Sequence, residues 1–185
     1  MNSLNPTMTT LRKVKIRPIM PLSDSTEIDL EAIECIPQGP DCNVIDDSEL
    51  GIDVIEVTGE KSSMIFPTNG CKYPYLVLHV KNMSRFMSLE LVLLDNTNKL
   101  RTFRLSNRRT TAVIEPQTCD LPLDIGDGWQ YLCIDLNDML YRSYGTGLKT
   151  CREIVICGSC RASKIFFQDD LYADIELPPF LRVIT

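Results

Sequence analysis

Tyr75-Leu76-Val77-Leu78-His79-Val80 is a near-continuous apolar run, and it decides the fold of this chain. A run of this length and composition is typical of a central strand that is buried on both faces or nearly so. Residues 86–94 and 99–106 form the next two predicted strands, and the loop between them, Asp95-Asn96-Thr97-Asn98, suits a hairpin. The centre of the chain is therefore predicted to be an antiparallel sheet.

Further short strands are predicted on both sides of this centre. They are separated by turn signals at intervals of about ten residues, and they comprise residues 52–57, 63–66, 111–115, 129–136, 153–157 and 163–168. The second of them is closed by Pro67 and by the turn signal Asn69-Gly70. Many short strands with this spacing favour a mainly β protein, folded as an antiparallel β-sandwich or jelly roll.

One short helix is predicted near residues 136–144. Asp135 or Asn137 would cap its first turn, and Gly145 would end it as the residue after the last turn. The residues that share one face at helical spacing are Leu136, Met139, Leu140 and Tyr144.

The N-terminal part lacks a sustained period. Residues 1–43 are predicted to be a loosely structured arm, which becomes ordered on a partner, and residues 44–185 the β-sandwich domain. Within the arm, the segment 28–33 is compatible with a short helix or an edge strand. Pro37-Gln38-Gly39-Pro40 marks a turn or break.

Composition indicates an ordinary soluble protein. The chain has 185 residues, 44% hydrophobic and 24% charged, which is enough for one domain with a sizeable core. No apolar run reaches the ~20 residues of a membrane span, and residues 1–15 lack a signal-peptide core. We therefore expect residence in the cytoplasm, without membrane contact. Reduced and mostly buried thiols are expected for the eight cysteines, of which Cys133 and Cys157 lie in apolar runs.

Charge is distributed in blocks. Residues 1–17 hold four Lys or Arg and no acids, residues 18–60 hold twelve Asp or Glu and no bases, and residues 61–109 hold nine bases and two acids. Opposite patches suit a protein that lies between two different surfaces. Solvated loops that happen to be charged explain the acidic block equally well.

Catalytic and metal-binding signatures are weak. Cys157-Gly158-Ser159-Cys160 lies between two predicted strands, so a hairpin turn is favoured over a redox or zinc site. His79 is the only histidine, and we predict that it lies in the core and donates to a backbone carbonyl. Adjacent acids such as Asp46 and Asp47 would point to opposite faces of a strand. We therefore expect a protein that is not an enzyme and has no cofactor or metal.

A carbohydrate site would need exposed aromatic side chains that lie in one plane. Trp129 is the only tryptophan, and it follows Asp127-Gly128 at the start of a predicted strand. We interpret it as a core anchor over the mouth of the sandwich. A glycan-binding module stays open as an alternative, and exposure of this tryptophan would favour it.

The best candidate for partner binding is the basic segment. The candidate residues lie on one predicted hairpin strand and the loop after it, and they are Lys99, Arg101, Arg104, Arg108 and Arg109. Arginines on a surface form paired hydrogen bonds to carboxylates, so an acidic protein surface suits them. An acidic chain disfavours nucleic acid. A charged edge strand, protected against aggregation, is the structural alternative. On the binding hypothesis, Arg101→Glu with Arg104→Glu leaves thermal stability nearly unchanged.

Several separate segments carry a family resemblance. In chain order they are Lys81-Asn82, Phe103-Arg104-Leu105-Ser106-Asn107, Asp127-Gly128-Trp129, Tyr144-Gly145-Thr146, Asp170-Leu171-Tyr172 and Glu176-Leu177-Pro178. Their order and spacing resemble the family of cilia- and flagella-associated protein 20, over about residues 44–182. The resemblance implies a β-sandwich similar to carbohydrate-binding modules, in which the motif residues form turns, caps and strand ends.

The resemblance also implies a function. It implies a non-enzymatic, microtubule-bound protein that bridges the A- and B-tubules of the axonemal doublet at the inner junction. Its implied partners are α/β-tubulin and neighbouring junction and luminal proteins, and its implied locations are the cytoskeleton, the ciliary or flagellar axoneme, the sperm flagellum and the basal body. A nuclear or RNA-linked adaptor is a further alternative. The acidic residues 18–60, without tryptophan, depart from the family pattern and indicate a diverged paralogue.

Overall fold

The computed structural model describes residues 13–183, and the fold is mainly β with one α-helix. The helix α1 comprises Leu136–Tyr144. The strands are β1 (Ile16–Met20), β2 (Ile36–Gln38), β3 (Cys42–Asp47), β4 (Ile52–Val57), β5 (Ser63–Cys71), β6 (Tyr75–Asp95), β7 (Leu100–Ser106), β8 (Val113–Ile114), β9 (Thr118–Pro122), β10 (Gly128–Asp135) and β11 (Leu148–Gln168). The predicted fold class and helix are confirmed.

Two strands of 21 residues, β6 and β11, organise the sandwich. They pair antiparallel over almost their whole length, from Tyr75 opposite Gln168 to Asp95 opposite Leu148. The first half of β6 pairs with β10, and the second half pairs with β7. The two long strands therefore run through both layers, which matches sandwiches whose corners are made by strands that change sheets.

The remaining strands complete each layer. One layer contains β10, β6 and β11, and β1 and β4 pair with successive parts of β11, with β3 beyond β4. The other layer has the order β2-β5-β11-β6-β7-β9-β8. Every pair is antiparallel except β7 with β9. The core lies between the layers and contains residues from both halves of β6, such as Leu78 and Leu91.

The inward side chains of β6 change phase along the strand. Leu76, Leu78 and Val80 are in the core before the middle of the strand, and odd-numbered residues, beginning with Met87, are in the core after it. Since a strand alternates with a period of two, a shift of one residue is needed between the two halves. The segment 83–86 provides it, because these four residues have no partner on β11.

Gly158 lies opposite this segment and permits the bend of β11. Its φ is +85°, in the left-handed region, and the register shifts between Gly158 and Cys160. A Cβ atom at this position would lie 2.3 Å from the carbonyl oxygen of Phe86. Only glycine therefore allows the two backbones to approach this closely.

Two predicted turns are bulges in continuous strands, so these predictions were wrong. Residues 157–160 lie within β11, and Asn69-Gly70 lies within β5, where positive φ angles of 50° and 73° accompany a register shift against β11. The predicted strand pairs 75–80 with 86–94, and 153–157 with 163–168, are each one strand. Glycine and asparagine supply the same backbone conformations to a bulge as to a turn.

The structure differs from the predicted arm in residues 13–43. Strand β1 pairs with the end of β11, and Met20 is fully buried in the core. Strand β2 pairs with β5, and Ile33 is also buried. The segment predicted as a helix or strand forms turns around Asp29, whose side chain accepts from the amide of Glu31 at 2.9 Å. Residues 1–12 of the predicted arm lie outside the described residues.

The caps of α1 follow the sequence prediction. The side chain of Asp135 accepts from the amide of Asp138 at 2.9 Å, and Gly145 adopts φ 66° with its N–H donating to Tyr141. Asn137 instead accepts from the amide of Leu148 at 2.9 Å, which joins the helix to the start of β11. No helix among residues 13–183 is long and apolar enough to cross a membrane.

Gly158→Ala is expected to destabilise the protein by about 2–5 kcal/mol, because a left-handed alanine and a clash with the Phe86 carbonyl are added together. The matched control is Gly128→Ala, since Gly128 has φ +78° but no atom lies within 4 Å of a Cβ built there. That control should cost about 1–2 kcal/mol. The free energy of unfolding from urea titration tests both variants, and equal losses would contradict this account of the bend.

Candidate partner-binding surface

The outward face of β7 supports part of the basic segment. Alternation along β7 buries Arg101, Phe103 and Leu105 and exposes Leu100 and Arg104. The loop after Ser106 then carries Arg108 and Arg109 back over the same outer face. The structure therefore brings three of the five predicted partner-binding residues together.

These three arginines surround a groove, here called the arginine groove. It has a volume of about 430 Å³ and is lined by Phe86, Ser88, Arg104, Ser106, Arg108, Arg109 and Asp120. The floor comes from the second half of β6 and from β7, and Asp120 comes from β9, which lies parallel to β7 with Asp120 opposite Arg104. The groove is thus built on sheet strands, apart from its arginine loop.

Every arginine of the groove has an acidic neighbour. Arg104 donates to Glu90 at 3.0 Å and lies 3.9 Å from Asp120, which also pairs with Arg109. Pairs of exposed side chains such as these contribute only about 0–1 kcal/mol each. Carboxylates of a partner can therefore replace them at little cost.

Arg108 lies between a carboxylate and an aromatic ring. It pairs with Glu60, and its Cζ lies 4.5 Å from the ring centroid of Phe86, a cation–π geometry. Phe86, Glu60 and Asp120 were missed by sequence reasoning. Nothing in the sequence connects Glu60 or Asp120 to the arginines, whereas Phe86 begins a predicted strand and could have been noticed.

Arg101 does not belong to the predicted binding surface, because it lies on the inner face of β7. It is 8% exposed, and its Nε donates to Asp95 at 3.0 Å. Its guanidinium also donates to the carbonyl of Pro116 and lies 4.2 Å from the ring centroid of Tyr144. The period of two along β7 was the signal, since Arg101 and Arg104 are three residues apart and must face opposite sides.

Asp95 is the fully buried partner of Arg101. Burial alone would raise its pKa, but the hydrogen bonds from Thr97, the Lys99 amide and Arg101 outweigh burial and hold the pKa of Asp95 well below its ordinary value. The ionised carboxylate thus fixes the β6–β7 turn and, through Arg101, the loop before β9. This pair is structural, so Arg101→Glu with Arg104→Glu is now expected to lower stability instead of leaving it nearly unchanged.

Lys99 is exposed in the β6–β7 turn and is not part of the arginine groove. It lines a separate groove of about 570 Å³, together with Arg101, Pro116 and other residues of the segments 98–102 and 116–118. This second groove contains no other lysine or arginine that is exposed. The predicted basic cluster therefore divides into an exposed groove, a buried ion pair and a separate lysine.

Motif residues distant in sequence meet at the bend of β6. Asn107 accepts from the amide of Met87 at 3.0 Å and donates to the carbonyl of Arg85 at 2.6 Å, so its side chain holds the C-terminal end of the bend. Ser84 donates to Asp127 at 2.8 Å. Gly128 lies opposite Asn82 on the neighbouring strand.

Two motif tyrosines fasten other loops. Tyr144 donates to the carbonyl of Glu115 at 2.9 Å, and its ring meets Phe103 edge to face at 5.9 Å. Tyr172 donates to Asp169 at 2.6 Å. After it, two short 3-10 helices cover the outer face of the first layer, where Leu177 is buried. Leu171, next to Tyr172 and Asp170, is exposed.

Trp129 lies on the outer face of the first layer, not over the mouth of the sandwich. Its ring stacks on His79 with centroids 4.8 Å apart and an interplanar angle of 29°. His79 Nδ1 lies 2.6 Å from the Ser163 hydroxyl, so its partner is a side chain, not the predicted backbone carbonyl. Burial, with the nearby Lys164, lowers the pKa of His79 to about 4, so the ring is neutral at physiological pH.

All eight cysteines are free thiols, and four of them are buried. Cys133 is exposed on β10, contrary to its prediction as a small core residue, because it lies on the outer face of that strand. Burial raises the pKa of Cys160 to about 12, so this thiol is unreactive at neutral pH. Within residues 13–183, no group of three or more His, Cys, Asp or Glu side chains is arranged to hold a metal ion.

Comparison with known proteins identifies relatives over most of the chain. The family model described as the CFA20 domain matches residues 16–185. A cilia- and flagella-associated protein 20 from Paramecium tetraurelia is 34% identical over 147 residues, which cover 75% of this chain and 77% of that protein. The protein of the same name from Chlamydomonas reinhardtii is 33% identical over 142 residues, covering 72% of this chain and 75% of the relative. Among solved structures, that of PfGH50B has a TM-score of 0.39 at 12% identity, covering 75% of this chain and 23% of the other.

Arg101→Met is expected to lower the free energy of unfolding at pH 7 by about 3–5 kcal/mol, because it leaves the Asp95 carboxylate buried without its cation. The folded-state pKa of Asp95 is depressed, so the contribution of its charge is present above about pH 4 and is lost as the pH falls further. The difference between wild type and variant should therefore shrink in acid. The control is Arg142→Met, which breaks an exposed pair with Asp138 and should cost less than about 1 kcal/mol. Equal losses in urea titrations of the two variants would contradict the assignment.

Proposed function

The chain belongs to the CFA20 domain family, and from this premise we propose that it is a non-enzymatic structural protein that bridges the A- and B-tubules of the axonemal doublet at the inner junction. Its relatives are named for cilia and flagella, which connects the chain with these organelles. The observation that carries the proposal is the family match over residues 16–185, which includes both long strands and both layers. The location that follows is the cytoskeleton of the ciliary or flagellar axoneme, including the basal body and the sperm flagellum.

The architecture supports a role as a spacer. Because β6 and β11 pass through both layers, the two layers cannot move as separate bodies without breaking their shared strands. Side-chain hydrogen bonds of Asn107 hold the C-terminal end of the bend. A protein that fills a gap between two tubules needs a fixed shape more than a reactive centre.

The arginine groove supports contact with tubulin, whose surface is acidic. Arg104, Arg108 and Arg109 present planar guanidinium groups that suit carboxylates, and their present partners are exposed pairs of low net strength. Each contact of this kind is modest. A repeating lattice makes many such contacts act together, and neighbouring junction and luminal proteins would add more.

Tagged protein in a ciliated cell is expected to lie along the axoneme and to stay there after detergent extraction, because a doublet component is held by lattice contacts. Washing in increasing salt should release it only when these ion pairs are screened. Fluorescence imaging before and after extraction is the measurement. Protein that is soluble or nuclear before extraction would reject the bridging role for this chain and favour an adaptor role.

Arg104→Gln with Arg108→Gln and Arg109→Gln is expected to weaken co-sedimentation with microtubules by about tenfold or more, because three cations are removed from one face. The thermal midpoint should change little, since all three side chains are about half exposed. The control, Arg142→Gln with Lys149→Gln, removes two exposed cations outside the groove and should bind as the wild type does. Equal binding of both variants would exclude the groove from the interface.

A further inference from the structure

The loop between β7 and β8 contains a second feature besides its groove residues. Its sequence is Arg108-Arg109-Thr110-Thr111, so Thr111 follows two arginines at the second and third positions before it. Every residue from 108 to 117 is exposed, and residues 107–112 belong to no strand. Thr111 and the two arginines before it are therefore all accessible from solvent.

The backbone holds this segment only loosely. The amide of Arg109 donates to the carbonyl of Ser106 at 3.2 Å, and the amide of Arg108 donates to the Ser106 hydroxyl at 3.2 Å, which fixes the start of the loop. On the other side, β8 has two residues, both exposed, paired with β9 at the edge of the sheet. Among the described residues, Thr111 has no side-chain hydrogen bond. Such a segment opens locally at small cost in free energy.

We propose that Thr111 is a phosphorylation site for a protein kinase that selects arginine two and three residues before its acceptor. Kinases distinguish substrates by patterns of charge, and carboxylates in the substrate cleft would pair with the guanidinium groups of Arg109 and Arg108. Both arginines can turn towards a kinase because their present ion pairs are about half exposed. Thr110 lacks this spacing, since the arginines precede it by one and two residues.

Two serines also follow an arginine by two residues, but both are less accessible than Thr111. Ser106 follows Arg104 by two residues, but it lies in β7, paired with Ser88 on one side and Pro122 on the other. Ser163 follows Arg161 by two residues and is buried, with its hydroxyl against His79. The loop position of Thr111 therefore distinguishes it from these two serines.

The reaction is an ordinary phosphoryl transfer from magnesium-bound ATP. The Thr111 Oγ1 forms a bond to the γ-phosphorus as the bond from that phosphorus to the β–γ bridging oxygen breaks, and ADP leaves. The proton of the hydroxyl passes to the catalytic carboxylate of the kinase. The chain itself supplies the acceptor and the two cations that position it.

The phosphate would change the charge of the arginine groove. The three arginines are balanced by Glu60, Glu90 and Asp120, so these six groups sum to zero. A phosphate adds about −1.5 to −2 at pH 7, beside Arg108 and Arg109. This consequence rests on the proposed function: an acidic tubulin surface would then meet a negative face, and docking would weaken.

The site itself is tested with the full-length chain, magnesium-ATP and the catalytic subunit of cyclic-AMP-dependent protein kinase, a kinase selective for arginine. Mass spectrometry is expected to find one phosphate, on Thr111. Thr111→Ala should abolish it, Thr110→Ala should retain it, and Arg108→Gln with Arg109→Gln should slow it about tenfold or more. A phosphate on Thr110 or Ser106 instead, or none on the folded chain while a peptide of residues 105–116 is modified, would overturn the proposal.

Co-sedimentation with microtubules then tests separately whether phosphorylation of Thr111 weakens docking. Unmodified protein is expected to bind, and protein phosphorylated on Thr111 to bind about tenfold more weakly. Equal binding of the two forms would overturn the effect on docking, while the mass spectrum still supports the site. If neither form binds, the proposed function fails, and the assignment of Thr111 stands on its own measurement.

Discussion

The pairing of β6 with β11 through both layers is the constraint on which the rest of this structure depends. Both strands must bend at the same level, and at that level only glycine leaves room beside the carbonyl of Phe86, at Gly158. The side chain of Asn107, the residue after β7, fixes the bend of β6 through Arg85 and Met87. The remaining strands attach to this pair directly or through a neighbouring strand, so the bend determines the position of each layer.

The sequence was sufficient for the elements whose signals are local. Apolar runs and caps predicted the central strands and the helix, because burial and capping are decided within a few residues. The bend was not predictable in this way, since residues 157–160 have the composition of a turn and become a bulge only through pairing with β6. Strand β1 was missed for the same reason: its partner lies about 150 residues later in the chain, and Met20 has no local signal of burial.

The candidate site was predictable as a concentration of cations but not as a surface. Alternation along β7 separates Arg104 from Arg101, whose burial requires Asp95, a carboxylate that sequence reasoning placed in a simple turn. Likewise, the acidic block is partly neutralised by bases from elsewhere in the chain, since Arg161 lies 2.7 Å from both Asp47 and Glu56. Charge blocks along a sequence therefore overstate the charge that a partner meets.

Strands shared between two layers also determine how the molecule carries force. A pull directed along β6 and β11, with one strand drawn against the other, loads their ladder of hydrogen bonds in shear. Bonds loaded in shear must break together, whereas bonds that are peeled apart break one at a time. The direction along these two strands is thus the mechanically strong one, whereas a two-residue edge strand such as β8 can be peeled away at small cost in free energy.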